Sequence, residues 1–196
     1  MKKFELTAEF VTNIFGKKLF RIKALVAFGN VEKGELGGFI EKEDNLSHGG
    51  NAWVSGNAWV YGNARVSGNA WVYGNARVYG NAWVYGNARV YGNAWVYGNA
   101  QVYGDAQVSD GAQVSGNLDY AVVTGFGRYF RATTFFRCKD RILRVQCGCF
   151  YGDLAQFREI VKKTHGDSKY AKEYLAIADL MELHFSDEEE KQEATE

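Results

Sequence analysis

The residues best suited to metal binding or nucleophilic chemistry in this chain are three cysteines and three histidines: Cys138, Cys147, Cys149, His48, His165 and His184. The spacing C-x8-C followed by C-x-C lacks the paired C-x2-C of zinc sites, although His165 or His184 could supply a fourth ligand. Free thiols buried in a hairpin are the favoured interpretation. Because the sequence has no phosphate-binding glycine loop, nucleophile elbow or paired-carboxylate motif either, it predicts no catalytic residue, metal or cofactor.

Composition narrows the class of protein further. The 196 residues carry 23 basic and 23 acidic side chains, and this zero net charge weighs against a polyanion-binding protein. There are 23 glycines and no proline, while 46% of residues are hydrophobic, which excludes collagen and a wholly disordered chain. No signal peptide or membrane-spanning run is recognisable, and the cysteine number is odd, so we expect a reduced, cytoplasmic protein.

A six-residue repeat accounts for most of the glycine. From Asn51 to Gly116 the chain is eleven consecutive hexads of the form Asn-Ala-x-Val-Tyr-Gly, and segments 45–50 and 117–122 look like degenerate copies. Ala and Val share one parity and x and Tyr the other, so a strand would turn Ala and Val inward. Gly-Asn suits a tight corner. Such short strands cannot bury themselves alone, which predicts a stacked solenoid.

The aliphatic residue of each hexad lies four positions before a small residue. The pairs are Val54 with Ala58, Val60 with Ala64, Val66 with Ala70 and onward to Val108 with Ala112. This motif resembles the hexapeptide-repeat left-handed β-helix family, in which three hexads form one triangular coil. The chain departs from that family by placing Tyr or Ser after the aliphatic residue. The repeat also resembles small proteins carried by phages and prophages.

The family resemblance implies two possible enzymatic activities, and the histidines of the sequence test both. Carbonic anhydrases of this family bind zinc through three histidines on the coils, but here no histidine lies between His48 and His165. Acyltransferases of the family use a histidine base with acyl-CoA in a trimer cleft, and His48 is the one candidate. The uninterrupted hexads leave no loop to shape an acceptor pocket, so a polar corner residue is the favoured interpretation of His48.

A coil of three hexads predicts ladders of outward residues with a spacing of 18. The ladders are Trp53-Trp71-Arg89-Gln107, Trp59-Arg77-Trp95-Gln113 and Arg65-Trp83-Gln101, with tyrosines stacked beside them. Trp, Tyr and Arg dominate binding hot spots, so these side chains are candidate partner-binding residues. The candidates are Trp53, Trp59, Trp71, Trp83, Trp95, Arg65, Arg77, Arg89, Tyr73, Tyr85, Tyr91 and Tyr97. The alternative is that they only stack and stabilise the solenoid. Three arginines against Asp105 and Asp110 make nucleic acid an unlikely ligand.

The ends of the chain have a different character. Residues 1–44 predict a β cap, with strands joined by a turn at Gly16, and 45–122 form the predicted β-helix. Residues 123–185 predict a hairpin of Thr133–Cys138 with Arg141–Cys147, followed by two helices. Asp153 is the predicted N-terminal cap of the first helix, and Asp167-Ser168 begins the second. The apolar stripes of both helices are expected to pack on the hairpin. Residues 186–196 are acidic and predicted to be disordered.

The predicted hairpin carries a basic strip in which Asp140 is the one acidic residue. A strand pair with arginines on its solvent face is the favoured interpretation, and a docking patch for an acidic partner is the alternative. The arginines of this strip are Arg128, Arg131, Arg137, Arg141 and Arg144.

Together these patterns predict a mainly β protein: a short left-handed parallel β-helix of about four coils with an N-terminal β cap and a C-terminal α+β module. We expect a non-enzymatic protein-binding module that forms a dimer or trimer, contacts no membrane and acts as a phage-encoded, anti-CRISPR-like inhibitor of a host protein. A self-associating scaffold and a CoA-dependent acyltransferase are the alternatives.

Overall fold

A computed structural model describes residues 1–186 of the chain. Three antiparallel strands come first: β1 (Phe4–Thr12), β2 (Lys18–Ala24) and β3 (Leu36–Ile40). The turn between β1 and β2 contains Gly16 in the left-handed region, as the sequence predicts. Strand β3 also pairs in parallel with the strand Trp59–Val60 of the solenoid, so the N-terminal sheet continues directly into the solenoid. The predicted disordered tail lies, apart from Ser186, outside the described residues.

Eleven two-residue strands build a parallel β-solenoid of about four turns. They are β4 (Trp53–Val54), β5 (Trp59–Val60), β6 (Arg65–Val66), β7 (Trp71–Val72), β8 (Arg77–Val78), β9 (Trp83–Val84), β10 (Arg89–Val90), β11 (Trp95–Val96), β12 (Gln101–Val102), β13 (Gln107–Val108) and β14 (Gln113–Val114). Strands β4, β7, β10 and β13 form the first face, and β5, β8, β11 and β14 the second. Strands β6, β9 and β12 form the third face. Every predicted ladder pair is confirmed, from Trp53 opposite Trp71 to Trp95 opposite Gln113.

Valine and alanine fill the interior, as the alternation predicts. Every Ala and Val of the hexads is at most 1% exposed. Glycines make the corners possible because they stack directly on the glycines of the next coil. Gly74 has φ +71°, and a Cβ there would lie 3.0 Å from the backbone nitrogen of Gly92. A corner side chain would therefore be both strained and crowded.

The first coil differs from the predicted hexad register. Leu46 pairs with Val66, a spacing of 20 residues, and Phe39 pairs with Trp59 at the same spacing. Leu46 thus fills the interior position of segment 45–50, and the two extra residues lie between Leu46 and Trp53. The other predicted degenerate copy, 117–122, is wrong as a coil segment: it forms a 3-10 helix (Asn117–Asp119) and the start of an antiparallel strand.

The two ends of the solenoid differ in which backbone groups predominate. Each coil donates its N–H groups to the carbonyls of the next coil, for example from Trp53 N to Ala70 O at 3.0 Å. The N-terminal end therefore presents mainly carbonyls, and the buried Asn45 amide donates to two of them. The Gly62 N–H at the same end donates to a Glu41 carboxylate oxygen.

The C-terminal end presents mainly N–H groups, two of which donate to Thr134 Oγ1 and Asp119 Oδ2. The Gln101 carbonyl at this end accepts from the Tyr120 hydroxyl. Side chains of the right polarity thus close both ends.

The C-terminal module is a four-stranded antiparallel sheet with two helices on one face. It comprises β15 (Tyr120–Val123), β16 (Thr133–Arg137), β17 (Leu143–Cys147), β18 (Phe150–Asp153), α1 (Leu154–His165) and α2 (Lys169–His184). The predicted hairpin, the Asp153 cap and the start of the second helix at Asp167-Ser168 are confirmed, and the structure shows Ser168 as the cap of that helix. Phe136 joins the solenoid core and Phe135 the helical core, so the sheet itself closes the solenoid. Strands β15 and β18 were not predicted.

Candidate functional site

The second face shows the stacking that the ladder spacing predicts. The Arg77 guanidinium lies between two indoles, 4.7 Å from the Trp59 ring centre and 5.2 Å from that of Trp95. Tyr61 and Tyr79 stack with ring centres 5.0 Å apart, and burial raises the pKa of both phenols. These side chains are half-buried by one another. Their contacts stabilise neighbouring coils and leave little aromatic surface for a partner.

The first face is covered at its first coil. Trp53 is fully buried, with Phe28 packed edge-on at 5.4 Å, so the expectation that its indole points outward to a partner is wrong. The N-terminal segment covers this position, and hexad alternation alone cannot show that. Further along, Tyr73 and Tyr91 stack at 5.0 Å, and exposed Arg89 lines a hollow of about 650 Å³ together with half-buried Trp71.

The third face carries the most exposed aromatic rings of the hexads. Trp83 is 42% exposed and Tyr103 52%, whereas every other hexad aromatic residue is less exposed. Trp83 contacts Tyr85 with ring centres 4.7 Å apart, and its Nε1 donates to Ser67 Oγ at 3.1 Å. Together with exposed Arg65, these three aromatic residues form what we call the exposed aromatic surface. Ser67 stands where other hexads have Tyr, so Tyr85 has no ring partner from the preceding coil.

His48 has partners on both ring nitrogens. Its Nδ1 accepts from Lys3 N at 3.2 Å, and its Nε2 lies 3.7 Å from a Glu43 carboxylate oxygen. Its ring also stacks on Phe4 with centres 4.3 Å apart. His48 lines a hollow of about 500 Å³ that adjoins Trp83 of the third face. These contacts tie the N-terminal strand to the first coil.

The cysteines are separated along the C-terminal sheet. Cys138 is buried beside Gly111, and burial raises the pKa of its thiol to about 11. Cys147 lies at the opposite end of the hairpin and accepts a hydrogen bond from Thr133. Cys149 is exposed, so the expectation of buried thiols is wrong for this residue. Among residues 1–186 no group of three potential metal ligands comes together.

The basic strip does not form one solvent face. Arg137 points to the helical side, where its guanidinium donates to Phe185 O at 2.8 Å. Arg144 lies on the other side of the sheet, opposite Phe136, and pairs with Asp140 at 2.8 Å. The strand pair is covered on both faces, so the prediction of a solvent face lined by arginines is wrong for these two residues. Arg128, Arg131 and Arg141 remain exposed in loops.

Three exposed aromatic residues of the C-terminal module were missed by the sequence analysis: Phe126, Tyr129 and Phe130. They lie between Arg128 and Arg131 or beside them, in a segment that has no repeat or strand pattern. The density of aromatic and basic residues in that segment was the available signal.

The stacked coils, the valine–alanine interior and the outward ladders define a parallel β-solenoid repeat protein. Four segments of the chain match the family model described as YdcK beta solenoid repeat: residues 58–74, 70–86, 84–98 and 100–116. These matches lie within the hexads, and the chain is similar to that family over this region. No curated protein matches the sequence. Within the described part of the chain, no helix is long and apolar enough to cross a membrane.

Proposed function

We propose that this protein is a non-enzymatic protein-binding module that contacts its partner through the exposed aromatic surface of the third face. The exposure of Trp83 and Tyr103 carries this proposal, because the other solenoid aromatics are half-buried in stacks or covered. Large exposed rings next to an arginine are typical of binding hot spots. The solenoid supplies a rigid backbone beneath them, so little ordering entropy opposes binding.

The closed ends support a discrete binder over an axial polymer. Asn45 satisfies carbonyls at one end, and Asp119 satisfies N–H groups at the other. A second copy therefore finds few free backbone groups on which to extend the coils. Lateral self-association through the exposed aromatic surface is the second candidate, since the same rings can pack on another copy and give the expected dimer or trimer.

The biological form that we propose is a phage-encoded inhibitor of a host protein, of the counter-defence (anti-CRISPR-like) kind. The resemblance of the repeats to phage- and prophage-borne proteins supports it. The three free cysteines are consistent with action in the cytoplasm. Such an inhibitor would act by covering a functional surface of its target.

Site-specific photo-crosslinking tests the binding surface. A photoreactive phenylalanine replaces Trp83 in one variant and Gln113, on the second face, in the control. We expect one cellular protein to crosslink from position 83 and not from position 113. Crosslinks to the same chain alone would instead establish self-association.

The purified partner then allows affinity and inhibition to be measured. Trp83→Ser with Tyr103→Ser should weaken binding by at least about tenfold, the loss of a single modest hot spot, while Gln113→Ser leaves it unchanged. Unchanged affinity of the double variant would show that these rings are only structural. A partner whose activity is unaffected by saturating protein would contradict the inhibitor role. Acetyl-CoA binding that is lost in His48→Ala would contradict the non-enzymatic assignment.

A further inference from the structure

The loop between β15 and β16 carries three exposed aromatic residues, more than any solenoid face. Phe126, Tyr129 and Phe130 are 43%, 64% and 71% exposed. They are interleaved with the exposed side chains of Arg128 and Arg131. We call residues 124–131 the aromatic–arginine loop. Aromatic residues and arginine together are the composition that interface hot spots favour.

Contacts with α2 and with Gly148 hold the loop in place. The Gly127 N–H donates to a Glu173 carboxylate oxygen at 3.0 Å. Gly127 itself lies against Tyr174 of α2 so closely that a Cβ would collide with the phenol ring. At the end of the loop, the Arg131 side chain lies close to Gly148. The exposed rings therefore project from an anchored segment, and binding need not order it.

Phe130 adopts a backbone conformation that a bulky residue avoids. Its φ is +51°, in the left-handed region that glycine occupies readily. The side chain is mostly exposed, so burial of its ring does not compensate for the strain. Strained backbone of this kind is concentrated at functional sites, where it holds a side chain in a required position.

The charges around the loop favour a carboxylate ligand. No acidic residue occurs between positions 120 and 139. Both guanidiniums lie near the Tyr129 ring, at 5.6 Å for Arg128 and 5.1 Å for Arg131, and neither forms an ion pair with any residue in 1–186. Asp105 lines a hollow of about 370 Å³ with Phe130 and Arg131. A polyphosphate chain would be repelled by this carboxylate, whereas a peptide can present an amide to it.

We infer that the aromatic–arginine loop is a docking site for a protein segment in which a carboxylate neighbours an apolar side chain. The carboxylate binds Arg128 or Arg131, and the apolar side chain packs on Phe130 over the hollow beside Asp105. The hollow beside Asp105 adjoins a second hollow lined by Tyr103, and Asp105 and Thr124 line both, so the loop neighbours one end of the exposed aromatic surface but uses different side chains. It goes beyond the proposed function, and either site can fail its test while the other passes.

Fluorescence anisotropy with defined probes tests the site on the full chain. The probes are a short synthetic peptide with phenylalanine flanked by glutamates, the same peptide with lysine for glutamate, and an oligothymidylate of similar length. We expect the glutamate peptide to bind, with an affinity that falls as salt is raised. Arg128→Gln with Arg131→Gln should weaken it by about tenfold or more, the value of one charge-assisted hydrogen bond.

Matched variants separate the site from general charge and from folding. Lys139→Gln removes a positive charge of the same module and should leave the affinity unchanged. Phe130→Gly should abolish binding while leaving the melting temperature unchanged or higher, because glycine relieves the left-handed strain. An equal loss in Lys139→Gln, full binding by Phe130→Gly, absence of glutamate-peptide binding, or tighter binding of the lysine peptide or the oligothymidylate would each overturn the inference.

Discussion

Replacing Asn45 by leucine tests whether side chains of matching polarity close the N-terminal end of the solenoid. Asn45 is fully buried, and its Nδ2 donates to Gly62 O at 3.1 Å and to Ala64 O at 2.8 Å. Its Oδ1 accepts from Lys42 N at 3.0 Å. Leucine has a similar size and forms none of these bonds, so the change leaves two carbonyls and one N–H without their partner.

The expected loss of stability follows from the number and burial of these groups. An unsatisfied buried polar group costs about 1–3 kcal/mol. The Ala64 carbonyl is buried and the other two groups are partly buried, which gives a loss of roughly 3–4 kcal/mol in the free energy of unfolding. That is a large fraction of the roughly 5–15 kcal/mol that stabilises an ordinary domain.

Urea unfolding followed by far-UV circular dichroism measures this difference directly. The matched control is Asn63→Leu, because Asn63 is exposed and its side-chain amide bonds only exposed groups: Nδ2 donates to Asn81 Oδ1 in the next coil, and Oδ1 accepts from Lys42 Nζ at 3.5 Å. We expect the control to lose less than about 1 kcal/mol. Equal stability losses in the two variants would refute the end-capping mechanism.

Three further changes probe the buried cation, the corners and the stacks. Burial lowers the pKa of Lys3 from 10.5 to about 8, so the unfolded chain binds more protons between these values. The free energy of unfolding should therefore rise from about pH 8 to pH 10.5, and Lys3→Met should remove the part of this rise that Lys3 causes. Urea unfolding at a series of pH values measures it. Gly74→Ala should destabilise by about 2 kcal/mol through left-handed strain and crowding by the next coil. Arg77→Met should cost about 1 kcal/mol in chemical unfolding by removing two cation–π contacts.

Each of these changes has a control within the chain. Lys2→Met, at an exposed salt bridge, should keep the alkaline rise in stability. Gly104→Ala places a Cβ at φ +65° with no atom within 4 Å, so it measures strain without crowding and should cost less than Gly74→Ala. Arg65→Met removes an exposed arginine and should leave stability unchanged. Full pH dependence in Lys3→Met would show that Lys3 is not its origin. A loss in Gly74→Ala no larger than in Gly104→Ala would show that the next coil adds no crowding, and unchanged stability of Arg77→Met would show that the cation–π contacts do not stabilise the coils.

The periodic part of the fold was predictable in detail because every hexad repeats the same local structure, a short strand followed by a glycine corner. The spacing of 18 predicted that Arg77 would lie between Trp59 and Trp95, and the structure confirms it. The helix caps Asp153 and Ser168 were also predictable, since a capping side chain acts on its own helix. Strand β15 was missed because its segment looks like a decayed hexad. Its antiparallel pairing depends on β16, which lies beyond the loop.

The candidate sites were predictable only in their residue types. Trp53 and Trp83 occupy the same hexad position, yet one is fully buried and the other is 42% exposed. The N-terminal segment covers Trp53, and nothing within residues 1–186 covers Trp83 to that extent. The arginines of the basic strip likewise divide between two sides of a covered sheet, because Arg137 and Arg144 take opposite parities on paired strands.

The sequence by itself determined the repeat length, the inward and outward parity of each hexad and the glycine corners, because these depend on neighbours along the chain and on stacking at a constant interval. Only the tertiary structure decided which outward rings remain exposed, how the ends are closed and that the aromatic–arginine loop is anchored on α2. Those properties depend on contacts between segments far apart in sequence, such as Asn45 with Ala64 and Gly127 with Glu173, which have no periodic signature.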